Sequence, residues 1–387
     1  MLGIAVAQSV DLRSFGVYGL VFVTYQLLLE ASRALVSLPL QIRFSAAHGA
    51  DWREGTRSAS GAGAVLGLVL GGGVVGVGFL CDDPLRSGLI ALGVTLPGLL
   101  IQDVWRFAFI TCGRAVDAFR SDLTWVVAFA GALVVLFLFD AATVGWLIFA
   151  WGVAGCLGAL AAMVEAPPPA FMSVRSWWRE HRDLGTRYLF ELLVSAADMH
   201  VVVYLMGAMA GLAAAGDFRG ADLLLSPFNV LFFAASLMFV SEGVRLLETR
   251  QRPARDLWRL CVTVSVVLGL VAGLLGLIVL LLPDRLGTLV LGDVWFTAKP
   301  VVGGLAIRLV ALGAFLGALI GLRTLAAATR SLRARIILSL VAFPLGVAGI
   351  ALDEARGAAY GLAVAWWIGV AVTWRELRAE LRSREGQ

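Results

Sequence analysis

The chain has 387 residues, of which 60% are apolar and only 15% charged, and its mean hydropathy is +0.88. A soluble domain would carry about a quarter charged residues, so a water-facing protein built on one core is excluded and bilayer is the solvent this surface needs. The net charge of +4 rests almost wholly on arginine, with Lys299 the sole lysine, and is not read as a nucleic-acid footprint; where the arginines fall carries the information.

About 20 apolar residues cross roughly 30 Å of hydrocarbon. On that measure candidate spans lie at 14–40, 61–81, 88–113, 122–139, 142–164, 184–208, 221–240, 258–282, 301–322, 336–352 and 357–374. The chain is therefore read as all-α and polytopic, with about eleven transmembrane helices. Ahead of the first span, Met1–Val10 is apolar but too short to cross, and is read as the stub of a further helix. The polar segments between spans are no longer than about twenty residues, too short to fold alone.

Twenty arginines fall in the segments that follow spans one, three, five, seven, nine and eleven, among them Arg43, Arg114, Arg179, Arg250, Arg330 and Arg378. The opposite segments hold six cations: Arg13, Arg86, Arg219, Arg285, Lys299 and Arg356. Positive charge marks cytoplasmic loops, so the C-terminus is expected in the cytoplasm of a multi-pass cell-membrane protein, with Arg219 in an outer loop. The run Pro167-Pro168-Pro169 cannot be helical. It divides the chain into an N-terminal lobe at 1–165, a cytoplasmic linker at 166–183 and a C-terminal lobe at 184–387. A weak repeat relates Ser14–Arg43 to Gly216–Arg245, as secondary transporters often show. Gly63, Gly67 and Gly71, Gly313, Gly317 and Gly321, and the pair Gly269 and Gly273 form small-residue faces suited to helix contact.

A charge at the centre of a span costs roughly 2.5–3.5 kcal/mol on insertion scales. Such charges are therefore the candidate functional residues. They are Glu30 and Arg33 in span one; Asp103 and Arg106, beside Gln102, in span three; Glu191 and Asp198 in span six; and Arg308 in span nine. Glu30–Arg33 and Asp103–Arg106 each stand three residues apart on one helix face, so each acid is expected to hold its own arginine. By the topology, Arg33 and Arg106 lie in the inner half of their spans and Arg308 in the outer half. Arginine stays ionised and pairs phosphate oxygens bidentately, which makes an anionic headgroup the fitting ligand. Asp82-Asp83 reads as a solvated turn opened by Pro84, and His48 and His181 as solvated. The four cysteines show no CxxC spacing, and no P-loop, GxSxG, HExxH or haem motif is present. No metal or other cofactor is expected, and the short loops disfavour an enzyme.

Three stretches carry a family resemblance. VAQSVDLRSFGVYGLVFVTYQLLLEASRALVSLPLQIR, with Phe15-Gly16-Val17-Tyr18 opening a span, resembles the end of the first helix and the second helix of polysaccharide and lipid-linked-oligosaccharide flippases. LPGLLIQDVWRFAFITCGRAVDAFRSDLTW, with Gln102, Arg106, Gly113-Arg114 and Asp122-Leu123, is similar to their fourth helix and the loop to the fifth. YLFELLVSAADMHVVVYLMGAMAGLAAAGDFRGADLLLSP is similar to the start of their second lobe. The family belongs to the multidrug/oligosaccharidyl-lipid/polysaccharide exporter superfamily. The resemblance implies a twelve-helix protein of two six-helix lobes around a cavity of alternating access, here lacking most of its first helix. It implies a flippase for a lipid-linked saccharide, anionic and polyprenyl-diphosphate-linked, with a polysaccharide polymerase or glycosyltransferases as partners. Export of organic cations, or a non-transporting role in a polysaccharide locus, are the alternatives.

Overall fold

The computed structural model describes residues 2–44, 49–196, 200–228, 231, 232, 239, 242, 243, 246, 253–325 and 327–385. All elements among them are helical. A short α1 (Leu2–Ser9) precedes α2 (Leu12–Ser32), which Asp11 caps by accepting a hydrogen bond from the Ser14 amide. α2 runs without a break through a π-helical turn at Arg33–Ser37 into α3 (Leu38–Phe44). Then come α4 (Gly49–Gly78), α5 (Leu85–Thr111), α6 (Ala115–Leu138), α7 (Val144–Met163) and α8 (Val174–Ala196). After these follow α9 (His200–Met209), α10 (Leu212–Leu225), α11 (Pro253–Leu280), α12 (Asp284–Leu291), α13 (Val294–Thr324) and α14 (Ala328–Glu385). α14 is two helices joined at Asp353 and Glu354, where the backbone leaves the helical region.

Eight stretches among the described residues are long and apolar enough to cross a membrane, and the last, Thr329–Arg384, contains that kink and so holds two of the expected spans. The protein is an all-helical polytopic membrane protein. Three expected boundaries differ. Residues 49–60, expected as loop, are the first turns of α4. At 1.5 Å per residue, α4 outruns the hydrocarbon, so its polar start is helix lying beyond the apolar run. The segment 166–183 is non-helical around Pro167–Pro169 but becomes α8 from Val174 onward. The span expected at 184–208 is divided between α8 and α9, and much of the one at 221–240 lies outside the described residues.

The chain forms two compact units, Met1–Leu193 and Val194–Gln387. In the first, α5 is the central helix, packed on α4, α7, α2 and α6. The face Gly63, Gly67, Gly71 of α4 meets it directly: a Cβ on Gly67 would sit 2.6 Å from the Cα of Pro97. In the second unit α13 is central, against α14, α11 and α10. Its Gly313, Gly317 and Gly321 face the backbone of α11 and the side chain of Leu377. Gly269 and Gly273 differ, since a Cβ on either would stand 3.7–3.8 Å from Val310. They line an apolar cavity of about 610 Å³ with Leu270, Leu274 and Trp367.

The amphipathic start of α8 folds back onto the end of α2–α3. Arg43 forks onto the Asp183 carboxylate at 2.9 Å, and Trp177 is buried against the helix carrying Leu35. His181, expected in solvent, is 5% exposed. Its ring stacks on Trp177 at 3.9 Å, and Nδ1 donates to the Trp177 carbonyl at 2.9 Å. Counting polarity alone misplaces it, because a neutral imidazole with one ring nitrogen bonded is a good aromatic core residue. Burial holds its pKa below the ordinary value near 6.5. The sign follows: the unfolded chain takes up the proton first, so stability is full above about pH 6.5 and falls as pH drops through that value. Thermal unfolding between pH 8 and pH 5 should show this loss, and His181→Phe, which keeps the stack, should flatten it. An unchanged slope in that variant would remove His181 as the cause.

Candidate functional site

In the N-terminal unit, α2, α5 and α6 bring a polar set together inside apolar helices. Arg33 stands at the first position of the π-helical turn. Its Nη2 donates to Asp103 Oδ1 at 2.6 Å and its Nε to Oδ2 at 3.0 Å, a two-pronged fork. Asp103 is only 5% exposed and Arg33 30%. The Arg33 guanidinium also lies 5.4 Å from the centre of the Phe107 ring. One residue before Asp103, the Gln102 amide donates to Ser121 Oγ at 3.1 Å and to Asp122 Oδ1 at 2.9 Å. Ser121 in turn donates to the Gly158 carbonyl on α7 at 2.9 Å. Arg106 completes the set: its Nη1 is 3.9 Å from Asp122 Oδ2, and its Nε is buried with no hydrogen-bond partner among the described residues.

The pairing therefore differs from the expected one. Asp103 serves Arg33 on the neighbouring helix rather than Arg106 three residues along, and Arg106 looks to Asp122 on α6. Residues three apart share a helix face, but a face meets other helices, and a guanidinium on a neighbouring helix can offer Asp103 two parallel hydrogen bonds. Glu30 lies one turn before Arg33, half-buried.

The C-terminal unit has a second set. On α10, Arg219 Nη1 donates to Asp222 Oδ2 at 2.5 Å. Across from it on α13, Arg308 Nη2 is 3.9 Å from Asp222 Oδ1, and the Arg308 guanidinium lies 5.9 Å from the Trp366 ring centre on α14. All three charged side chains are 8–12% exposed. Arg219 is thus no loop cation but a buried helical one. The clue was in the chain: Arg219 and Asp222 have the same three-residue spacing that singled out Glu30 and Arg33. Ser121 and Trp366 carried no signal of their own, and Asp122 entered only through the family resemblance. Of the remaining expected residues, Asp198 and the side chain of Glu191 lie outside the described residues. The paired acids at 82–83 form a turn in which Asp83 accepts from the Ser87 amide at 3.2 Å, and no cluster of metal-binding side chains occurs among the described residues.

No family model matches this sequence, and no curated protein does. Solved structures do. An inward-facing multidrug resistance MATE family transporter of the MOP superfamily matches with a TM-score of 0.81 at 11% identity, over 100% of this chain and 94% of that one. The lipid II flippase MurJ, in an inward closed conformation, matches at 0.72 and 11% identity, over 97% of this chain and 85% of that one. A MOP superfamily transporter from Pyrococcus furiosus, described as having a binding pocket of reverse polarity, matches at 0.59 and 13% identity, over 99% and 91%. Over its full length, the chain has the fold of MOP superfamily transporters.

Proposed function

We propose that this protein is a flippase: it moves a lipid-linked saccharide across the cell membrane by alternating access, with arginines receiving the anionic, polyprenyl-diphosphate-type headgroup. The observation that carries the proposal is the company kept by the charges within its apolar helices. In each unit, carboxylates inside apolar helices stand against arginines, whereas a site for organic cations calls for acids left to the ligand. Arg106 and Arg308 each have a buried Nε without a partner among the described residues, a donor that a phosphate oxygen would fill. Asp103 holds Arg33 in the meantime, so no charge stands bare in low dielectric. The fold is shared with a lipid II flippase and with a transporter of reversed pocket polarity, which is compatible with an anionic cargo.

Export of organic cations is the second reading, drawn from the likeness to the multidrug transporter. Proteoliposomes separate the two. A fluorescent polyprenyl-diphosphate saccharide should become accessible to an impermeant quencher on both faces in the presence of the protein, while a cationic dye should not accumulate. Dye transport with no change in lipid accessibility would reverse the assignment. We further read the lobes as six helices each, divided near Pro167–Pro169, with a cytoplasmic C-terminus. A cysteine at position 250 should then resist an impermeant maleimide in intact cells and react only after permeabilisation; labelling in intact cells would invert the topology.

A further inference from the structure

The Asp222 carboxylate lies between two guanidiniums and serves them unequally. It accepts from Arg219 at 2.5 Å but stands 3.9 Å from Arg308, beyond hydrogen-bond range. Arg308 is held by little else. Its Nε is buried with no hydrogen-bond partner among the described residues, and its guanidinium lies near the face of Trp366. An arginine cannot shed its charge, and a buried ionised group without hydrogen bonds is costly. Among the described residues, Arg308 is therefore an open donor whose carboxylate partner is occupied by a neighbour.

We propose that Arg308 is an oxyanion-binding residue and that Asp222 is its built-in competitor, held off by Arg219. A phosphate or diphosphate group docks on Arg308, with Trp366 as the apolar wall, while Asp222 stays with Arg219. For release, Asp222 shifts the short distance onto Arg308 and takes the place of the anion. The carboxylate thus sets affinity low enough for the site to empty. This deepens the flippase reading and rests on it for the identity of the anion. The chemistry of the site fits either a lipid diphosphate headgroup or a free diphosphate.

The competitor predicts two substitutions of opposite sign on the same ion pair. Inorganic pyrophosphate and farnesyl diphosphate are titrated calorimetrically into the full-length protein in nanodiscs. Asp222→Asn removes the competitor and should tighten binding about tenfold, a change of 1.4 kcal/mol. Arg219→Gln frees Asp222 to close on Arg308 and should weaken binding, as should Arg308→Gln. The Arg219 variant leaves a balanced Asp222–Arg308 pair, so it remains informative where the asparagine variant folds poorly. If the wild type binds neither probe, Asp222→Asn must create binding. Unchanged or weaker binding in a folded Asp222→Asn protein, or tighter binding in Arg219→Gln, overturns the proposal. Preference for farnesyl diphosphate assigns the site to a lipid headgroup, and equal affinity to a free anion. A flat Asp222 series alongside active lipid flipping sinks this inference alone; the expected series with no flipping by the wild type sinks the flippase reading alone.

Discussion

Asp103→Asn is expected to destabilise the N-terminal unit by about 3 kcal/mol, the lower end of what breaking a buried pair costs, because Arg33 is 30% exposed. The substitution keeps the shape of the side chain and removes its charge. Arg33 then loses the carboxylate that both prongs of its fork are bonded to. Removing both partners should be far milder, since the cost lies in the uncompensated charge rather than in the loss of the bond. The double variant Arg33→Gln, Asp103→Asn is therefore expected to recover much of the lost thermal stability and monodisperse yield in detergent. A single Asp103→Asn variant that melts with the wild type would show that the fork holds nothing.

The second large effect is on transport. Arg106→Lys keeps a cation at the end of the Asp122, Gln102 and Ser121 chain but loses the planar fork and the buried Nε donor. A hydrogen bond to a charged group contributes about 1.5–3 kcal/mol, and 1.4 kcal/mol is tenfold. Flipping of the lipid-linked probe should therefore drop by roughly tenfold to a hundredfold, with expression and melting temperature unchanged. Arg308→Gln should reduce flipping to a similar degree through the other unit. If Arg106 and Arg308 can each become glutamine with full lipid translocation, the arginines brace helices and the flippase assignment loses its chemical basis.

The long apolar runs announced α2, α4, α5, α6, α7, α11 and α13, because a hydrocarbon solvent demands an unbroken stretch of side chains that water would exclude. Helix ends were less legible. Asp51, Arg53 and Arg57 look like loop residues, yet a helix continues past the hydrocarbon once its first turns are formed, and the buried Trp52 anchors that extension by donating to the Ala108 carbonyl. The charges at Arg33, Asp103, Arg106 and Arg308 were visible, since each breaks an apolar run. Their partners were not, because pairing is decided by which helices become neighbours. Asp122 looked like the polar start of a span, and only packing turns it into the acid beside Arg106; Arg219 looked like a loop cation, although its three-residue spacing from Asp222 on one helix could have been read.

The π-helical turn at Arg33–Ser37 makes this short stretch tolerant of a change in length that the rest of the helix would not absorb. A π turn holds one residue more than the α turn it replaces. Deleting one of residues 34–37 would return the turn to α geometry and leave the helix on either side facing nearly as it does now. The same deletion elsewhere in α2 would rotate everything on one side of the cut by about 100° relative to the other, the angle of one residue at 3.6 per turn. Phe15, Tyr18 and Tyr25, buried on the upstream side, could then not keep their neighbours while Leu40 and Arg43 keep theirs. Single-residue deletions should therefore be milder at 34–37 than elsewhere in this helix. Natural variation in chain length within this helix should fall at this turn.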